Sequence, residues 1–127
     1  MSADVSVKVA TYVTCLEALL STEQGELAHK LAERVARMLG ADPSEQRELF
    51  RLVKDAYSIR STTLHGAPLG KLARKLLPTA AMCDDVVRRL FLKILSSQEL
   101  VALFNKGDLA TYFLDLLFGP VRNEETK

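Results

Sequence analysis

Tryptophan is absent from this chain of 127 residues, and cysteine occurs only twice, at Cys15 and Cys83. The two cysteines lie far apart and form no C-x-x-C pair, so they read as small core hydrophobes in a reducing compartment. Neither sign of charge is in excess: 17 lysines and arginines stand against 16 acidic residues. No bulk field therefore draws nucleic acid or an anionic membrane, and any such binding has to come from a local patch. No apolar run approaches the roughly 20 residues that a membrane-spanning helix needs. The opening stretch "MSADVSVKVATYVTCLEALLS" carries Asp4, Lys8 and Glu17 where a signal peptide would be basic and then apolar. A cytoplasmic protein without a membrane segment is the expectation.

What the chain does hold is apolar residues at helical spacing along most of its length. Val9, Val13, Leu16 and Leu20 recur at three- and four-residue steps from Val5 to Leu20. A second helix, starting around the S-x-x-Q pattern Ser21–Gln24 and closed by Gly40, carries Leu27, Leu31, Val35 and Leu39. Glu26 with Lys30, and Glu33 with Arg37, are spaced for ion pairs on its polar side. "ADPSE" opens a third helix, with Asp42 at the N-cap, Pro43 in the first turn and Glu45 as the reciprocal capping carboxylate. Phe50, Val53, Tyr57 and Leu64 follow on its apolar side. It should end near His65, because Gly66 and Pro68 disfavour continuation.

After the basic segment "LGKLARKLLP", a fourth helix is expected from about Thr79 to Ser97. Its stripe is Met82, Val86, Leu90, Phe91, Ile94 and Leu95. "SQELVALFNKG" reads as a short helix, and Asp108 caps a last one bearing Leu109, Tyr112, Phe113 and Leu116. There is no strand signal, internal repeat or low-complexity linker. The fold class expected is all-α, a compact bundle of about five to six helices in one domain over residues 1–119. Residues 120–127 form a charged tail, expected to be disordered.

One stretch asks for more than a fold. "YSIRSTTLHGAPLG", Tyr57 to Gly70, puts Arg60, three hydroxyls (Ser61, Thr62, Thr63) and His65 at a helix end. Five residues along a helix is about 140° of rotation, so Arg60 and His65 converge only if the histidine sits in the exit turn. Arg60 lies near the apolar side, where a guanidinium should be paired or face a polar cleft. The ordinary readings are an arginine that complements the helix dipole and a helix-exit histidine bonded to nearby carbonyls.

"KDAYSIRSTTLHG" resembles the signature of the HEPN superfamily, an arginine followed after four to six residues by a histidine at a helix end. The pattern Y-x-x-R-S-x-x-x-H-G, behind a capped helix and an earlier "LEALL", is similar to the HEPN domains called Apea-like. The resemblance runs from about Leu16 to about Leu95. It implies a metal-independent endoribonuclease without cofactor, acting as a homodimer, in a setting of bacterial defence or growth control. A regulatory protein partner would be unidentified. In its terms His65 is the acid or base and Arg60 stabilises the phosphate, while Ser61 or Thr62 helps to orient it. Ser61 stands where many HEPN ribonucleases have Asn, Asp or His. Ala67 stands where toxins controlled by tyrosine adenylylation have a tyrosine, so that control is not expected. The family also contains members that keep the helices but serve as dimerisation or protein-interaction modules.

The remaining polar residues are read plainly. His29, beside Lys30, is expected to be solvated, and no ligand spacing around it suggests zinc. Lys71, Arg74 and Lys75 follow the motif and would hold the phosphates of an RNA strand, or else form a solvated helix face. The same choice applies to Arg88, Arg89 and Lys93. A third reading is a helical regulator that binds nucleic acid through Lys71–Lys75 without cleaving it.

Overall fold

The computed structural model describes residues 2–22 and 26–121, with side chains from residue 5 onward. Helix α1 runs Ser2–Leu20, α2 Leu27–Leu39, α3 Pro43–Leu64, α4 Leu76–Leu95, α5 Gln98–Lys106 and α6 Leu109–Phe118. A 3₁₀ segment, Gly70–Lys75, links α3 to α4, and no strand occurs among the described residues. The all-α bundle expected from the periodicity is the fold. The S-x-x-Q pattern extends to Gln24 and so lies partly outside the described residues, as does the tail beyond Val121.

Apolar spacing explains the core. Val9, Val13, Leu16 and Leu20 of α1 are fully buried, as are Leu31, Ala32 and Val35 of α2 and Ala56 and Ile59 of α3. Fully burying one such aliphatic side chain contributes roughly 1.5–3 kcal/mol, so this cluster dominates the stability of the bundle. Helix α3 packs on α1, α2 and α4, while α5 leans on α4 and α6 on α2. Two ion pairs show the sense of α3 against α4, Glu45 with Arg89 at 3.6 Å and Asp55 with Lys75, the residue before α4, at 3.3 Å. As α3 advances α4 retreats, so the two are antiparallel. Tyr12 donates to Asp84 at 2.8 Å and ties α1 to α4; that bond, with burial, raises the phenol's pKa.

The structure corrects four readings. The buried stripe of α4 is Leu76, Thr79, Cys83, Val86, Leu90 and Ile94, so the expected face is rotated. Met82 and Phe91 flank it at 44% and 41% exposure, and Leu95 points out at 68%. The helix also starts three residues early: Pro78 sits in its first turn, where a missing N–H costs no hydrogen bond. Leu64 is 68% exposed, because it falls in the last turn of α3 beyond the core. Arg37 does not pair with Glu33; its Nε and Nη2 donate to the carbonyls of Leu116 and Leu117 at 2.9 and 3.0 Å, capping α6. Glu33 instead meets His29 at 3.2 Å.

The starts of α3 and α6 lie where the sequence puts them, whereas α2 begins at Leu27, beyond the Ser21–Gln24 pattern. Asp42 Oδ1 accepts from the Glu45 amide at 2.8 Å, and Glu45 Oε1 accepts in return from the amide of Ala41 at 2.9 Å. Ser97 and Asp108 cap α5 and α6 in the same manner. At Asp108 the bond from the Thr111 hydroxyl holds the carboxyl below its usual range.

Candidate functional site

The site is assembled by the end of α3. Its C-terminus closes in a Schellman motif: the amide of Ala67 donates to Thr62 O, and that of Gly66 to Thr63 O, each at 3.1 Å. Gly66 supplies the left-handed residue the motif needs, at φ 68°. His65 is the C-cap, with its own amide on Ser61 O at 3.2 Å. The glycine behind the histidine is thereby explained by local backbone chemistry. The imidazole of His65 is exposed and has no hydrogen bond or ion pair among the described residues. It can therefore exchange a proton with a ligand without breaking an internal contact.

Arg60, one and a half turns earlier, lies next to the core residue Ile59 and is partly buried. Its Nη1 meets the Oε1 of Glu17 on α1 in an ion pair whose side chains are 23% and 21% exposed. A charge so far withdrawn from water needs a partner, and Glu17 is that partner. The guanidinium carbon also stands 5.8 Å from the ring centre of Tyr57, one turn back on the same face, within cation–π range. The pair is shielded but not sealed. Of the five N–H donors of a guanidinium the bond to Glu17 engages one amino group, so others remain for an oxyanion.

Ser61 and Thr62 are half-buried beside Arg60, and their main-chain carbonyls hold the helix exit. The hydroxyl of Thr63, by contrast, is buried without a hydrogen-bond partner. Lys71, Arg74 and Lys75 are exposed on the 3₁₀ segment. Lys75 pairs with Asp55 at 3.3 Å, and Arg74 and Lys75 line a shallow cleft of about 320 Å³ with Arg51 and Asp55. Asp55 precedes Arg60 by five residues, about 140° around α3. The basic segment thus rests against a different face of α3 from the one carrying Arg60.

Other cations flagged in the sequence have structural duties. Arg89 donates to Leu39 O at 3.1 Å and Lys93 bonds Met38 O, so both cap the C-terminus of α2. Arg88, exposed, pairs with Asp84 at 3.0 Å. Arg34, one helical turn before Met38, donates to Leu20 O at 2.6 Å and stacks 4.4 Å over Phe113. Burial pushes the Cys83 thiol up to about 12, which leaves it protonated and inert as a nucleophile near neutral pH. No group of three or more His, Cys, Asp or Glu able to hold a metal occurs among the described residues, and none of their helices is long and apolar enough to cross a membrane.

Glu17 is the site residue that the sequence reading passed over. Its signal was available: it lies between the core positions Leu16 and Leu20, where a carboxylate needs a cation. Compared with models of known families, with curated proteins and with solved structures, the chain matches none.

Proposed function

We propose that the chain is a metal-independent endoribonuclease of HEPN type, acting as a homodimer with Arg60 and His65 of both copies in one composite cleft. One observation carries the reading: a half-buried arginine anchored on Glu17 and an unpartnered histidine lie within the last turns of the same helix, α3. The exposed imidazole takes no part in the aliphatic packing of the bundle.

The chemistry suits those two side chains. The 2′-oxygen of the ribose bonds to phosphorus and the P–O5′ bond breaks, leaving a 2′,3′-cyclic phosphate and a free 5′-hydroxyl. A base takes the proton of the 2′-hydroxyl and an acid delivers one to the 5′-oxygen, so no metal or water enters the balance. Histidine titrates in the physiological range and performs either transfer; one copy offers one such histidine, and two copies offer both. Arginine is a permanent cation whose planar donors fit the charge gathering on phosphate oxygens. Ser61 or Thr62 would orient that phosphate. Lys71, Arg74 and Lys75 would hold a strand that wraps around the end of α3. Defence or growth control is the setting that goes with this reading.

Incubation of a mixed RNA pool with the protein in EDTA, with end-group analysis, tests it. Cleavage to 2′,3′-cyclic phosphate ends, lost in His65→Ala and Arg60→Ala, is the expected result. An inactive, folded and dimeric wild type would instead favour a non-catalytic dimerisation or protein-interaction module. That second reading has its own observation: Leu92 and Leu95, one turn apart on α4, are 70% and 68% exposed.

A further inference from the structure

We infer that Glu17 is the positioning residue of this site, acting on the substrate phosphate only through the guanidinium of Arg60. The inference rests on the ribonuclease reading and adds a residue to it. Glu17 belongs to α1 and Arg60 to α3, helices packed over a shared core of Val13, Leu16, Ala56 and Ile59. Each partner is thus carried by a rigid element, and the contact between them fixes the direction of a long, otherwise many-rotamer side chain. Tyr57 supports the same guanidinium from its own helix, at 5.8 Å.

Two consequences follow for catalysis. The rotamer entropy of Arg60 is lost on folding and not on substrate binding, so the donors left free by Glu17 are preorganised. The carboxylate also offsets part of the cation's charge. That offset costs the more highly charged phosphorane at least as much as the phosphodiester, so the gain in rate comes from orientation and not from charge. A residue working in this manner raises kcat and has little influence on KM. Glu17 itself, 21% exposed and engaged with Arg60, is not the general base; that part stays with His65.

The experiment is metal-free cleavage of a labelled RNA pool by wild type, Glu17→Gln, Glu17→Asp, Arg60→Ala and the double variant Glu17→Gln/Arg60→Ala. Thermal melts by circular dichroism verify folding, and binding is read by anisotropy on the same pool with 2′-O-methyl riboses. Glu17→Gln should lose about 10- to 100-fold in kcat, the size of effect expected for a misplaced catalytic group, with apparent KM and 2′-O-methyl RNA binding within about threefold of wild type. Glu17→Asp, which keeps the charge, should recover most of that loss. The double variant should cleave no more slowly than Arg60→Ala alone, because Glu17 has nothing left to position. Full activity of Glu17→Gln beside an inactive Arg60→Ala would overturn the role of Glu17 and leave the ribonuclease reading intact. So would losses that simply add in the double variant. Absence of metal-free cleavage by a folded wild type would remove the ribonuclease reading and this inference together.

Discussion

Glu17 in the first helix and Arg60 in the third are 43 residues apart in sequence, and their side chains close an ion pair over the edge of the core. The pair does two things with one contact. It satisfies a cation that α3 carries next to a buried isoleucine, and it fixes where that cation's long side chain lies.

Removing one partner should cost stability as well as orientation. Glu17→Ala is expected to lower unfolding free energy by about 1–2 kcal/mol. That is less than the ~3–5 kcal/mol for breaking a fully buried pair, since water still reaches a fifth of each side chain. The double variant Glu17→Ala/Arg60→Ala should regain part of the loss, because no uncompensated charge is left behind. Urea unfolding of wild type, Glu17→Ala, Arg60→Ala and the double variant gives the comparison, and strict additivity would mean that the two charges do not interact.

Two glycines near helix ends should respond to alanine for opposite reasons. At Gly66 an added Cβ meets open space but the backbone is left-handed, so Gly66→Ala should cost about 1 kcal/mol, and Gly66→Asn less. At Gly40 the backbone is ordinary, with φ −75°, yet a Cβ would lie 2.7 Å from Ala36 O and 2.9 Å from Gln46 Cα. Gly40→Ala should therefore cost about 1–3 kcal/mol through crowding between α2 and α3, with no relief from asparagine. Chemical denaturation of all four variants separates conformational strain from steric strain.

The buried thiol of Cys83 sets an alkaline limit. Its pKa is raised from 9.0 to about 12 in the folded protein, so the unfolded chain ionises first. The contribution is complete below about pH 9 and falls away as pH rises toward 12, because the unfolded state is then favoured by proton release. Stability measured between those values should decline, with a shallower slope in Cys83→Ala. Iodoacetamide at pH 8 should leave Cys83 unmodified until denaturant is added.

If RNA runs along the basic segment, Lys71→Ala, Arg74→Ala and Lys75→Ala together should weaken binding and flatten its dependence on salt. Each phosphate that a lysine or arginine no longer neutralises reduces the slope of log K against log salt by about 0.7 for a single strand. The fold should be almost indifferent, since the one ion pair involved, Lys75 with Asp55, is a surface pair worth at most about 1 kcal/mol. An unchanged salt slope would place the strand elsewhere.

Helix starts were legible because their chemistry is local. Asp42 and Asp108 each satisfy an amide three residues on, and sequence spacing alone decides that. Core faces were legible in α1, where one stripe is plainly apolar. They were not in α4, where Met82, Phe91 and Leu95 compete with Cys83 and Thr79 for the buried side. Composition ranks the wrong set higher there; the face that α1 and α3 pack against makes the choice.

The sequence by itself determined that the chain is helical, where most helices begin, and that Arg60 and His65 share one helix end. Those outcomes depend on contacts within a few residues, which a linear pattern encodes. Only the tertiary structure decided that Arg60 is held by Glu17, that Arg89 and Lys93 are spent on the end of α2, and that the Lys71–Lys75 segment sits on another face of α3. Each of these joins residues from separate helices, and their meeting is set by how whole faces pack rather than by any spacing along the chain.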